Sequence, residues 1–155
     1  MVNVIKQYDL GYPSMKVTLL GTGTSQGVPV IGCKCGVCVS DNPKDSRLRT
    51  SIFIEVNGVN VAVDSGPDFR TQMLRENVKS LKSVIFTHEH KDHIAGLDDI
   101  RPFNYLEKRE MNVYASERVK EALLREYHYI FTKDKYPGVP NVKLTIFENN
   151  KFQID

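Results

Sequence analysis

The sequence predicts an α/β fold, a sandwich with helices lying outside its sheets. Three observations carry that expectation. Strand-length apolar runs cluster early in the chain, then alternate with stretches of helical composition. Asn57-Gly58 sits between two such runs, the strongest short signal for a β-hairpin. The apolar run Val84 to Phe86 empties directly into a cluster of metal-binding residue types, as the end of a buried strand would.

Each element has a local reason. Residues 1–14 carry Tyr8, Gly11, Tyr12 and Pro13 without a period and read as a lead-in to one unit spanning 15–155. Lys16-Val17-Thr18-Leu19-Leu20 is a strand by its β-branched and apolar content. Ser51 to Val56 and Val59 to Val63 are the hairpin arms, and the second arm ends at Asp64-Ser65-Gly66-Pro67. Residues 68–77 have helical composition, with Phe69, Met73 and Leu74 on one face and Asp68 near the start. After the strand at 84–86, Asp98-Asp99 opens a helix within 94–106, where carboxylates meet free N–H groups and the helix dipole. Met111 to Tyr114 is a strand, and Ser116-Glu117 caps a helix with Val119, Leu123 and Leu124 on its apolar face. Val142 to Ile146 and Phe152 to Ile154 read as a closing pair of strands.

The chain's 155 residues, 41% hydrophobic and 26% charged, are ordinary for one soluble domain. A formal charge of +2 does not indicate nucleic acid as a partner, although a local basic patch would fit inside it. No apolar run has membrane-spanning length, and Met1 to Lys6 lack a signal-peptide core. Three cysteines, an odd number within six residues, do not make a disulfide framework, which points to a cytoplasmic protein with reduced thiols.

The chemistry concentrates at His88-Glu89-His90-Lys91-Asp92-His93, an H-x-H-x-D-H pattern. Strand alternation aims His88 and His90 the same way, while Asp92 and His93 come a turn later. Two metal ions fit this geometry, His88 and His90 holding one, Asp92 and His93 the other. Imidazole with carboxylate suits zinc or manganese rather than calcium. Two ions roughly 3.5–4 Å apart can share a bridging hydroxide for hydrolysis. Asp92 is a ligand and also the candidate catalytic residue, because no side chain here is an evident general acid. The bland reading, a solvated charged loop, does not explain four ligand types at this spacing.

Cys33, Cys35 and Cys38 form a C-x-C-x2-C set suited to one structural zinc, short of the usual four ligands. His128 lies in Glu126-Tyr127-His128-Tyr129, which reads more simply as a helix end. Gly21 to Gly27 has G-x-G-x-x-x-G spacing with no following helix or lysine, so it matches no nucleotide motif. Its expected role is a tight turn beside the metal site, with glycines letting backbone pass close to substrate.

Thr87 to His93 resembles the signature of the metallo-β-lactamase superfamily. Gly21 to Pro29, the cysteine segment 32–38, Asp64 to Arg70 and Gly96 to Phe103 are similar to its phosphoribosyl cyclic phosphodiesterase branch. The resemblance covers most of residues 15–140 and implies an αββα sandwich, a binuclear hydrolase and a small phosphodiester substrate. It implies that Asp64 lies beneath the metal loop and orients a ligand, against the plainer reading of a turn aspartate. It also implies further ligands, a histidine, an aspartate and another histidine, beyond the H-x-H-x-D-H motif, and a fourth cysteine-site ligand in a C-terminal part. After His93 this chain offers only His128. The expectation is therefore the N-terminal half of a protein of ~250 residues, inactive alone, with an apolar sheet face that favours dimerisation. Alternatives are a relative of an RNA-processing endoribonuclease, a thioester or lactone hydrolase, and a non-catalytic zinc-binding module.

Overall fold

A computed structural model of the chain describes residues 14–147 and 152–154. Of the expected lead-in at 1–14, residues 1–13 lie outside them. One sheet of six strands runs in sequence order: β1 (Met15–Gly21), β2 (Ser51–Val56), β3 (Val59–Val63), β4 (Ser83–Ile85), β5 (Met111–Ala115) and β6 (Val142–Ile146). The first three pair antiparallel, and β3 to β6 pair parallel. The β2–β3 hairpin turns on Asn57 (φ 50°) and Gly58 (φ 78°), the double left-handed turn that matches strand twist.

Parallel neighbours need crossovers, and helices supply them. Helix α1 (Phe69–Arg75) joins β3 to β4. Helix α2 (Lys91–Ile94), a 3-10 turn at Leu97–Ile100 and α3 (Arg101–Glu107) join β4 to β5. Helices α4 (Glu117–Glu126) and α5 (His128–Phe131) join β5 to β6. Ser116 caps α4 through its hydroxyl, which accepts from the Val119 N–H. The core lies between these helices and one sheet face. Phe53, Ala62, Val84 and Val113 occupy one cross-strand row and pack with Phe69, Ile94, Leu97, Ile100, Val119 and Leu123.

The other face carries Met15, Val17 and Leu19 on β1, which are 59%, 40% and 41% exposed. Their partners Val56, Ile54 and Ile52 are half-buried. Among the described residues the sheet is layered on one side: helices cover one face, and the apolar side chains of the other are partly exposed.

Two expectations need correction. Phe152 to Ile154 is not a strand; Phe152, 43% exposed, stacks on Tyr114 and Phe147 (ring centroids 5.3 and 5.0 Å), so ring stacking rather than ladder pairing holds it. Asp98-Asp99 opens the 3-10 turn before α3 and makes no side-chain cap there. Asp98 instead accepts the Tyr129 hydroxyl at 2.5 Å, which raises the Tyr129 pKa on top of the effect of burial.

Candidate metal centre

The metal loop begins where β4 ends. Ile85 closes the strand, Phe86 is fully buried as an anchor, and residues 87–90 leave the sheet before α2 starts at Lys91. The neighbouring parallel strand β3 exits at the same end and places Asp64-Ser65-Gly66 under the loop. Three backbone hydrogen bonds join the two segments: Asp64 N–H to Ile85, Ser65 N–H to His93, and Gly96 N–H to Ser65.

The fit is tight enough to require glycine. A Cβ on Gly66 would stand 2.0 Å from the Asp92 carbonyl oxygen, and one on Gly96 would stand 2.2 Å from the Gly66 carbonyl oxygen. Asp64 adopts φ 64°, a left-handed conformation that aspartate tolerates better than most residues but still at a cost.

Asp64 is 3% exposed, and its carboxyl group accepts three hydrogen bonds. Thr87 N–H donates at 2.8 Å, the Thr87 hydroxyl at 2.7 Å, and His93 Nδ1 lies 2.7 Å away. Because the Thr87 hydroxyl hydrogen goes to Asp64, its oxygen is left to accept from His88 Nδ1 at 3.0 Å. One carboxyl group thus sets both rings, His93 directly and His88 through Thr87. With Nδ1 engaged in each ring, Nε2 is the nitrogen left for a metal ion.

The rings themselves converge. His88 and His93 have centroids 3.8 Å apart, His88 and His90 4.7 Å, and His93 Nε2 lies 3.3 Å from Asp92 Oδ2. Although among the described residues only the three cysteines bring three donor atoms within 4.8 Å of one another, the four candidate residues therefore form a row of near neighbours, His90 to His88 to His93 to Asp92. Their donor set, imidazole nitrogens with one carboxylate, fits a divalent ion of borderline softness. The intervening residues point away to α4: Glu89 pairs with Arg118, and Lys91 Nζ lies 2.5 Å from Glu126 Oε2. Lys91 holds the Glu126 carboxyl below its ordinary range. Glu89 is lowered too, first by its own backbone N–H and then, against burial, by Arg118.

Cys33, Cys35 and Cys38 come together in a separate loop, with their sulfurs within 4.8 Å of one another. The loop is pinched at its base by paired hydrogen bonds between Val28 and Arg47. Cys35 is pulled down to about 7, first by the Cys38 N–H and then by the Cys33 and Cys38 thiols. Cys38 is raised: the Val30 N–H favours its thiolate, but the other thiols and burial outweigh that. His128 is exposed at the start of α5.

The glycine segment has a different role from the one expected. A Cβ at Gly21 would lie 1.9 Å from the Arg49 carbonyl oxygen, and one at Gly23 2.7 Å from that of Arg47. These glycines admit the chain's own backbone, because β1 and the 47–49 segment cross there.

Sequence reasoning missed Arg49, which ties that crossing to the site's underside. Its N–H and guanidinium both donate to Asp68, at 2.8 and 3.0 Å, and its Nε donates to Ser25. Its carbonyl accepts from Gln72 on α1. Nothing in a charged loop marks one arginine among several. Thr87 was findable, since a hydroxyl directly before a ligand histidine is well placed to bond its ring.

Comparison with known proteins follows the same outline. The family model described as Beta-lactamase superfamily domain matches residues 59–155. An octanoyltransferase of Porphyromonas gingivalis is 46% identical over 131 residues, 84% of this chain and 26% of that protein. Coenzyme PQQ synthesis protein B of Methylorubrum extorquens is 28% identical, over 86% of this chain and 52% of that protein. Among solved structures, a diphosphatase from the PhnP family superposes with TM-score 0.80 at 39% identity, covering 90% of this chain and 52% of that one. Zinc-bound PqqB from Methylobacterium extorquens shares the fold, with TM-score 0.71 at 22% identity over 90% of this chain and 48% of that one. The chain thus spans about half the length of these PQQ synthesis and diphosphatase proteins, and a quarter of the octanoyltransferase. No helix among the described residues is long and apolar enough to cross a membrane.

Proposed function

The chain belongs to the beta-lactamase superfamily domain family, and from that premise we propose that it forms the metal-binding part of a hydrolase for small phosphodiesters. What supports the reading is the row of neighbouring side chains His90, His88, His93 and Asp92, two of whose rings are oriented by the buried Asp64. Similarity to the PhnP-family diphosphatase favours phosphorus over carbon as the centre attacked.

In this reading His88 and His90 hold one divalent ion, and Asp92 and His93 the other. Such ions, zinc or manganese, would acidify a water to a pKa of about 7 and place positive charge beside the phosphoryl oxygens. The protein's own part is orientation. Asp64 fixes the two rings, and the Gly66–Asp92 contact fixes the loop. Cys33, Cys35 and Cys38 hold a structural zinc away from the chemistry.

The test is turnover of bis(p-nitrophenyl) phosphate by the full-length protein with manganese or zinc, beside the His90→Ala variant. Metal-dependent turnover lost in the variant supports the reading; equal rates in both sink it. The 46% identity to the octanoyltransferase favours a second reading, hydrolysis of an acyl ester or thioester. Turnover of p-nitrophenyl octanoate with none of the phosphodiester would establish it instead.

A further inference from the structure

The three candidate histidines are not held alike. His88 Nδ1 meets the Thr87 hydroxyl and His93 Nδ1 meets Asp64. Among the described residues, no side chain or carbonyl takes a hydrogen bond from the His90 ring. His90 is exposed and stands at the N-cap of α2, where its ring only edges against His88. A ligand without an outer partner has its position set by its backbone alone.

That backbone is straddled by charge. Glu89 pairs with Arg118 in the first turn of α4, and Lys91 pairs with Glu126 at its last residue. The two pairs have opposite polarity, so the loop sits on the helix in one register only. The helix is a firm base: Val119, Ala122 and Leu123 are at most 2% exposed in the core. The Glu89 side chain is 20% exposed and that of Glu126 30%, so both carboxylates lie against the surface rather than in open solvent.

We infer that Glu89 and Lys91 are positioning residues, clamping the metal loop to α4 so that His90 keeps its aim without a hydrogen-bonded partner. The pairs are too exposed to matter much for stability, since such contacts contribute ~0–1 kcal/mol. Their effect belongs to ligand geometry. The inference rests on the metal-site reading above.

The experiment uses the full chain with one equivalent of zinc added first to fill the thiol site. Manganese alone is then titrated and free ion followed by electron paramagnetic resonance. Glu89→Arg should weaken manganese binding by about tenfold, the lower range for losing an outer partner of a ligand. The double variant Glu89→Arg with Arg118→Glu should recover most of that loss, and Lys91→Glu with Glu126→Lys should behave likewise. Lys120→Glu, which breaks the Lys120–Glu117 pair on the same helix, should change nothing. Thermal unfolding of each variant checks that the fold is kept. Single reversals without effect, or swaps that fail to restore affinity, overturn the clamp. Wild-type protein that binds no manganese overturns the metal-site reading itself.

Discussion

The carboxyl group of Asp64 lies 2.7 Å from His93 Nδ1 and 2.7 Å from the Thr87 hydroxyl that serves His88. One buried side chain therefore governs two rings on the next strand's exit. Asp64→Asn keeps a residue that tolerates the left-handed backbone and can still accept from Thr87. Its amide must present NH2 or a single oxygen to donors that now need both oxygens. Metal affinity and turnover should fall by about 10–100-fold, with little change in unfolding midpoint. A manganese titration beside a urea melt separates the two effects.

Gly66→Ala tests how the loop is seated. The new methyl would meet the Asp92 carbonyl oxygen at 2.0 Å, and backbone on both sides leaves no side chain to give way. The expected cost is about 1–3 kcal/mol in denaturant unfolding, together with weakened metal binding. An unchanged midpoint would mean that the two segments do not pack as described.

Arg49→Lys should be damaging despite keeping the charge. Lysine cannot bond Asp68 and Ser25 from one rigid fork, so one of these contacts is lost. A loss of about 1–3 kcal/mol is expected for a charged hydrogen bond, measured by chemical unfolding. Arg70, an exposed arginine on α1, is the control, since its replacement should leave stability unchanged.

The thiol loop gives a chemical prediction. In metal-free protein Cys35, with its thiol lowered to about 7, should react first with iodoacetamide at neutral pH. One equivalent of zinc should protect Cys33, Cys35 and Cys38 together. Mass spectrometry of the alkylated peptides reads the outcome, and protection of fewer than all three would break the shared-ion reading.

Much of the fold was legible because it is written in local pattern. Strand-length apolar runs marked all six strands, and Asn57-Gly58 marked the hairpin, since both depend on residues a few positions apart. The H-x-H-x-D-H cluster stood out for the same reason. What escaped lies in contacts between distant segments. Arg49 meets Asp68 across 19 residues and left no mark on composition, and Asp64, which meets His93 across 29, was pointed to by the family resemblance alone, not by local pattern. The glycines at 21 and 23 were visible, but what they make room for depends on which strand crosses there. Phe152 to Ile154 has a strand's composition, yet its aromatic finds a stack on Tyr114 instead of a ladder partner.

The parallel pairing of β3 with β4 also decides when the site can come into being. Val63 and Ile85 pair in parallel across the α1 crossover, so the Asp64–His93 contact is non-local and is expected to form late in refolding. A divalent ion added at the start would not speed the rate-limiting step, and would slow only the return to the unfolded chain.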